Sequence, residues 1–365
     1  MDASIGDTYE DQLTVGYKQV KYILEAVNSH QVSHITLRRG ELRDFLSVLE
    51  AFERQFSELH SLIVEVYAGL YLPLHKFGEW NTICEVWKIR VLPVAKNCEP
   101  HLRVKLCVQL GVIYSNQRRL EAAWECFQSA YQIWESVSPS RALEVEVATL
   151  LFHMGAWNQR QDKPTEAQPF FEQCIVLANK IQARETEAFA SSQLSQIYAA
   201  IGNFDQSHRY LDNCMEIWKS LGEEIGLART THYTRGKVYL IQGEVTKAVE
   251  HFSRAYEINK TLNDPEGLSH CAERLARCLF FLNHKSGEII KYATDAINLA
   301  SKDQTQDIAC VLSARMTLLR FYARNRNVFS LYTQGIAFYS DYRKLDRSFW
   351  QSTVKNYILS RFRRR

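Results

Sequence analysis

The chain has 365 residues, of which 46% are apolar and 23% are charged, and its formal net charge at pH 7 is +3. These proportions are those of a folded globular protein and exclude a disordered or fibrous chain, while so small a net charge does not by itself indicate nucleic-acid binding. Only 15 Gly and 7 Pro are spread along the sequence, which leaves little material for strand turns and favours helices.

The N-terminal segment, 1–59, is predicted to be a helical cap or bundle. It begins MDASIGDTYEDQLTVGY, which lacks the basic start and apolar core of a secretory signal, and apolar residues follow at helical spacing over 8–29 and 40–58. No apolar run in the sequence reaches the ~18 residues of a membrane span. The nine cysteines form no CxxC pair, so we expect reduced core residues in a cytoplasmic protein.

A repeat of about 40 residues follows this segment. Small residues recur with spacings of 44, 40, 41 and 40, at Gly111, Gly155, Ser195, Gly236 and Ala276. In the first four repeats a small, a large and a small residue follow at +12, +16 and +19, for example Ala248, Phe252 and Ala255. Antiparallel helices approach closely only where both carry small side chains, and a large side chain fills the remaining gap. The frame therefore predicts pairs of antiparallel helices.

This frame resembles the Leu-Gly, Tyr, Ala, Phe, Ala pattern of tetratricopeptide repeats. The period is about six residues longer than the 34-residue unit of that family, and is similar to that of kinesin light chains, Leu-Gly-Asn repeat proteins and bacterial peptide-sensing regulators. The resemblance implies an all-α, right-handed superhelical solenoid of about seven repeats over 60–342. Its ends are expected to be drifted copies, the last one counted from Met316 with Val328, Tyr332 and Gly335 on its second helix.

The C-terminal segment, 343–365, is predicted to be a capping helix with a basic tail. The tail holds the densest charge cluster in the sequence, formed by Arg361, Arg363, Arg364 and Arg365. Two interpretations stay open, namely a solvated end and an electrostatic contact with nucleic acid, an acidic protein or anionic lipid.

The sequence does not indicate an enzyme. The motifs GxxxxGK[ST], HExxH, GxSxG and GxGxxG do not occur in it, so the minimal parts for nucleotide hydrolysis, zinc proteolysis and serine hydrolysis are missing. His232 and His270 lie on predicted first helices with no second ligand at i+4. We therefore expect no metal site and no cofactor.

Stacked helix pairs form a concave wall lined by the first helix of every repeat, which is the default binding surface of such an array. In the resembling family, fixed positions around the small residue line this wall, and here they hold Asn116, His153, Arg160, Gln193, Gln196, Tyr233, Lys237, Arg274, Arg277 and Arg320. The last four of these would form a cationic strip, and the amides would hold a peptide backbone. An acidic or C-terminally carboxylated protein segment or peptide is the expected partner.

Three functions stay open from the sequence. The first is a protein-binding adaptor or scaffold, and the second is a peptide-responsive regulator that joins an N-terminal helical bundle to a repeat sensor. The third is a nucleic-acid-associated protein that uses the basic wall and the arginine tail. The first two differ in the size of the ligand, and the third predicts a steep dependence of binding on salt.

Overall fold

The computed structural model describes residues 14–15, 17–18, 20–21, 46–47, 49–51, 57–76, 80–284, 286–302 and 307–343. Most of the predicted N-terminal helices, and the whole of 344–365 with its four tail arginines, lie outside these residues. Every regular element among the described residues is helical, which confirms the predicted all-α fold. No helix in this part of the chain is long and apolar enough to cross a membrane.

Fourteen α-helices of seven residues or more occupy the described part of the chain. They are α1 His60–Lys76, α2 Trp80–Val86, α3 Pro100–Asn116, α4 Leu120–Glu135, α5 Arg141–Arg160, α6 Pro164–Ile181, α7 Arg184–Ala200, α8 Phe204–Leu221, α9 Thr234–Gln242, α10 Val245–Thr261, α11 Pro265–Phe281, α12 Ser286–Lys302, α13 Ile308–Arg324 and α14 Val328–Tyr342. A π-helix, Leu227–Tyr233, leads directly into α9. The chain divides into two compact halves, Met1–Ala190 and Ser191–Arg365, which are described separately below.

The turn inside each helix pair from α3 onward holds one residue in the left-handed region. These residues have φ between 54° and 85° and are Arg118, Asp162, Gly202, Gly243, Asn283 and Arg326. The next residue donates its backbone N–H to the carbonyl five residues earlier, as Glu244 does to Tyr239 at 2.9 Å, which closes the first helix. The first four spacings of these turns equal those of the small residues, so the predicted repeat frame is confirmed there.

The predicted register of the last repeat is wrong by three residues. Its left-handed residue, Arg326, follows Asn283 by 43 residues, so the repeat is counted from Leu319 and not from Met316. Val328 and Tyr332, which were expected at inward-facing positions of the second helix, are 75% and 68% exposed. The prediction assumed a 40-residue step between the last two repeats, whereas their left-handed residues are 43 residues apart.

The small, large, small frame forms the core of the individual helix pairs. Phe171 in the N-terminal half and Phe252 in the C-terminal half are fully buried. A Cβ atom placed on Gly155 would lie 2.8 Å from the ring of Phe171, and one on Gly236 would lie 2.7 Å from the ring of Phe252. The first helix therefore touches the aromatic ring with its backbone, and only glycine permits this distance.

This close approach predicts that two glycine-to-alanine substitutions change the free energy of unfolding in opposite directions. Gly236→Ala is expected to lower the free energy of unfolding by up to about 2 kcal/mol, because overpacking costs about 1–3 kcal/mol and the higher helix propensity of alanine returns about 1 kcal/mol. Gly335→Ala on α14 meets no atom within 4 Å, so it is expected to raise that free energy by about 0.5–1 kcal/mol. Urea unfolding followed by circular dichroism measures both. A shared sign would contradict the close approach at Gly236.

The cysteines and tryptophans mostly serve packing. All nine cysteines are free thiols, and every one except Cys126 is buried. Trp157 stacks on Trp124 with 4.5 Å between ring centroids and donates its indole N–H to the carbonyl of Leu120 at 2.9 Å. The apolar face and the polar N–H group of this indole ring therefore both make contacts within the fold.

Candidate functional site

The candidate site lies in the C-terminal half, on the first helices α7, α9 and α11. Ser192 of α7 donates its hydroxyl to the carbonyl of Thr230 at 3.2 Å and lies 3.1 Å from the hydroxyl of Thr234. These buried contacts join α7 to the π-helix and to the start of α9. Tyr233 is the last residue of that π-helix and directly precedes α9, so its ring lies beside the side chains of α9. A π-helix is a wider helical turn that often occurs at functional positions.

Hydrogen bonds and one cation–π contact connect five of the predicted residues across neighbouring repeats. Lys237 donates from Nζ to Oε1 of Gln196, and Gln196 donates from Nε2 to Oε1 of Gln193 at 3.2 Å. The Lys237 ammonium lies 6.0 Å from the centroid of the Tyr233 ring, and Arg274 donates from Nε to the Tyr233 hydroxyl oxygen at 3.2 Å. Five of the ten predicted wall residues are thus brought together.

Glu273 supplies the negative charge of this group. Its carboxylate lies 3.2 Å from Nε of Arg274 and 3.6 Å from Nη1 of Arg277, and it accepts a hydrogen bond from the hydroxyl of Ser313. Glu273 and Arg277 are only 5% and 9% exposed. Burial acts to raise the pKa of Glu273, but the two arginines and Ser313 outweigh it and hold that pKa below its usual range.

The resulting electrostatic balance is positive. We call the seven side chains the first-helix cluster, which consists of Gln193, Gln196, Tyr233, Lys237, Glu273, Arg274 and Arg277. Burial, and then the charge of Arg274, lowers the pKa of Lys237 to about 8, so the amine remains mostly protonated at pH 7. Three cationic groups then face one carboxylate. An excess of positive charge with limited access to water is a favourable place for an anion.

The other predicted residues lie elsewhere. Arg320 is exposed on α13, one residue after Leu319, and so holds the same repeat position as Lys237 and Arg277. In the N-terminal half, Arg160 donates from Nη1 to the hydroxyl of Ser115 at 2.6 Å.

His153 and Asn116, also in the N-terminal half, are partly buried. The ring of His153 lies parallel to that of Phe127, with 6.3 Å between centroids. Burial, and then the charge of Arg160, lowers the pKa of His153 to about 4. The imidazole is therefore neutral at pH 7 and contributes no charge.

Glu273 of the first-helix cluster and its hydrogen-bond partner Ser313 were not among the residues selected from the sequence. Glu273 occupies a wall position, but the sequence does not show which cation it faces. Ser313 follows Glu273 by 40 residues, just as Lys237 follows Gln196 by 41 and Arg274 follows Tyr233 by 41. A separation close to the repeat length was therefore the signal that pairs these side chains, although the corrected register of the last repeat places Ser313 three positions before the equivalent of Glu273.

Comparison with known proteins agrees with this architecture. Residues 104–133 and 230–262 match the tetratricopeptide repeat family, whereas a comparison with curated protein sequences found no match. Among solved structures, the STAND protein with a tetratricopeptide repeat sensor from Pyrococcus horikoshii is 14% identical, with a TM-score of 0.59 over 97% of this chain and 55% of that one. The present chain thus spans about half the length of that protein.

Two further structures are similar over most of their own length. A Rap protein complexed with Competence and Sporulation Factor is 13% identical, with a TM-score of 0.55 over 92% of this chain and 98% of that one. NprR in complex with its cognate peptide NprX is 12% identical, with a TM-score of 0.55 over 82% of this chain and 83% of that one. At such identities the likeness concerns the fold. The two matched segments are similar to tetratricopeptide repeats, and the described helices pack in adjacent pairs, as in an all-α, tetratricopeptide-like fold.

Proposed function

We propose that the chain is a non-catalytic adaptor or scaffold that binds an acidic or C-terminally carboxylated segment of a partner protein on the first-helix cluster. The observation that carries this proposal is the surplus of cationic groups at Lys237, Arg274 and Arg277, where Glu273 is the one carboxylate among the seven side chains. A carboxylate from a partner would balance that charge. Nine free thiols support a reducing, cytoplasmic location.

Each part of the cluster has a role in this proposal. Lys237 has three N–H donors, one of which is used by Gln196, and its ammonium would donate to a partner carboxylate. Arg274 would add a second charge-assisted hydrogen bond, which is stronger than a neutral one. Glu273 keeps the two arginines in place. The amides of Gln193 and Gln196 both donate and accept, as the backbone of an extended peptide requires.

An arrayed set of N-acetylated peptides tests the proposal. The set contains acidic, neutral and basic sequences, each ending either in a free carboxylate or in an amide. The protein and Lys237→Gln/Arg274→Gln are compared with a control, Lys247→Gln/Arg254→Gln, which removes two exposed charges from the second helix α10. We expect the protein and the control to retain acidic or free-carboxylate peptides and the first variant to lose them. Equal retention by all three, or a preference for basic peptides, would refute the proposal.

The low pKa of Lys237 predicts how this binding depends on pH. A peptide carboxylate prefers the protonated amine, so affinity is expected to fall by about tenfold from pH 7.5 to pH 9.5 as Lys237 passes its pKa of about 8. Arg274 keeps its charge in this range, and burial raises the pKa of Tyr233. Fluorescence anisotropy with an N-acetylated acidic peptide measures the slope. Lys237→Arg should remove it, and an unchanged slope in that variant would assign it to another group.

A peptide-responsive regulator is the second candidate function. It is favoured by the similarity to Rap and NprR, whose structures hold the Competence and Sporulation Factor and the peptide NprX. The two functions differ in the ligand, since a regulator is saturated by a free short peptide and changes conformation, whereas an adaptor binds the same segment within a folded partner. Small-angle scattering with and without the retained peptide separates them, because a change in radius of gyration favours the regulator.

A further inference from the structure

Three side chains with metal-binding donor atoms meet where α13 begins beside α11, at a place outside the first-helix cluster. Nε2 of His270 lies 3.5 Å from Oδ2 of Asp307. The donor atoms of His270, Asp307 and Cys310 all lie within 4.8 Å of one another. They come from two helices, so the arrangement depends on the tertiary fold and not on a local sequence motif.

The local structure fixes the direction of each donor. Asp307 is the N-cap of α13, and its Oδ1 accepts the backbone N–H of Cys310 at 3.0 Å, so that Oδ2 is the oxygen near His270. Cys310 is buried and donates its thiol to the carbonyl of Ser269 at 3.5 Å, beside His270 on α11. The side chains of His270 and Asp307 are about one-third exposed, at 37% and 33%. An ion can therefore reach the group from solvent.

The donor set selects the kind of ion. One imidazole nitrogen, one carboxylate oxygen and one thiol sulfur suit Zn²⁺, whereas Ca²⁺ and Mg²⁺ require oxygen ligands. Tetrahedral zinc holds such ligands at about 2.0–2.3 Å, which places neighbouring donor atoms about 3.3–3.6 Å apart. The 3.5 Å between His270 and Asp307 already has this value. Because all donor atoms lie within 4.8 Å of one another, the sulfur has to approach the other two by no more than about 1.5 Å to match it.

We propose that His270, Asp307 and Cys310 bind a single zinc ion, with water as the fourth ligand. On binding, the S–H bond of Cys310 breaks, its proton passes to solvent, and the thiolate bonds to the metal. The sulfur gives up its hydrogen bond to Ser269, while Asp307 keeps its N-cap interaction through Oδ1. The ion would join the start of α13 to α11, next to the first-helix cluster, since the ring centroids of His270 and Tyr233 are 6.3 Å apart.

Titration of the full chain with Zn²⁺ by calorimetry and with Co²⁺ by absorption tests this site, in reducing, chelator-free buffer. We expect one ion per chain and a sulfur-to-cobalt charge-transfer band. Cys310→Ser, Asp307→Asn and His270→Gln should each weaken binding by more than about 100-fold, beyond the 10–100-fold typical for an outer-shell partner. Cys278→Ser and His101→Ala are the matched controls and should bind as the parent chain does.

Asp307→Asn is the decisive variant because asparagine also caps helices, so the fold is retained while the anionic ligand is lost. Circular dichroism verifies its helix content. Zn²⁺ should raise the Tm of the parent chain and leave that of Asp307→Asn unchanged. The proposal is overturned if the parent chain shows no saturable binding. It is equally overturned if Asp307→Asn and Cys310→Ser bind zinc with the parent affinity.

Discussion

Replacing Phe252 by alanine is expected to lower the free energy of unfolding by about 3–5 kcal/mol, the range for a buried aromatic whose space cannot close. Phe252 is fully buried, and the backbone at Gly236 touches its ring. Leu275 and Cys278 of the next repeat belong to the same core cluster. Removal of the Phe252 ring would therefore leave a cavity lined by its own helix pair and by the next repeat.

The same residue supports the candidate site. The ring of Phe252 meets that of Tyr233 edge-on, with 5.5 Å between centroids, and Tyr233 accepts the hydrogen bond from Arg274. We therefore expect Phe252→Ala to weaken binding of an acidic peptide as well, even in buffer where the variant is folded. The core aromatic thus positions the site without touching the ligand.

Phe329→Ala on α14 is the matched control. The side chain of Phe329 is 78% exposed, so this aromatic deletion is expected to change the free energy of unfolding by less than about 0.5 kcal/mol. Urea unfolding of both variants, followed by circular dichroism, measures the difference. Losses of similar size would contradict the assignment of Phe252 to the repeat core.

The double variant Lys237→Gln/Arg274→Gln is expected to bind an acidic peptide at least about 100-fold more weakly than the parent chain. Each charge-assisted hydrogen bond contributes about 1.5–3 kcal/mol, and about 1.4 kcal/mol corresponds to a factor of ten. Two lost bonds therefore remove at least about 3 kcal/mol. Fluorescence anisotropy measures the affinity.

The loss should not reflect unfolding. Glutamine keeps most of the side-chain length, and Glu273 retains Arg277 and Ser313 as partners. The control Lys247→Gln/Arg254→Gln removes two solvated charges from α10 and should alter the affinity by less than about threefold. An equal loss in both double variants would show that net charge, and not the first-helix cluster, governs binding.

The sequence predicted the fold where the repeat frame is strong. Gly236 and Phe252 lie at the positions that the frame requires, because close helix approach leaves few residue types free to vary. The frame is weak on α13, where neither Met316 nor Leu319 is a small residue. Gly335 suggested a match there, yet the left-handed turn at Arg326 sets a different register. A left-handed backbone conformation cannot be recognised from the sequence when the residue that adopts it is arginine.

The positions of the candidate-site residues were predictable from the sequence, but the contacts between their side chains were not. Lys237 and Arg274 lie where the family frame places wall residues, and the repeat period explains why each meets a residue one repeat away. His153 lies at a wall position too, but local packing against Phe127 buries it. Counting positions along a helix does not reveal which neighbouring side chains bury a given residue. Burial shifts the pKa of a titratable side chain and therefore its charge.

The group at His270 was missed for a geometric reason. A second ligand was expected on the same helix at i+4, the spacing at which two side chains lie on the same helix face. Asp307 and Cys310 belong to the next first helix and reach His270 across the repeat interface. Cys310 follows His270 by 40 residues, which is close to the repeat length but three residues short of the 43-residue step between these two repeats.

Photo-crosslinking with an acidic peptide tests the central claim most directly, because it locates the ligand on the protein. A peptide retained in the array carries a photoreactive group, and mass spectrometry identifies the linked residues. We predict crosslinks on α7, α9 and α11 near Gln196, Lys237 and Arg274, and their loss in Lys237→Gln/Arg274→Gln. Crosslinks concentrated on the second helices α10 and α12, or on the exposed aromatic side chains of α14, would contradict the account.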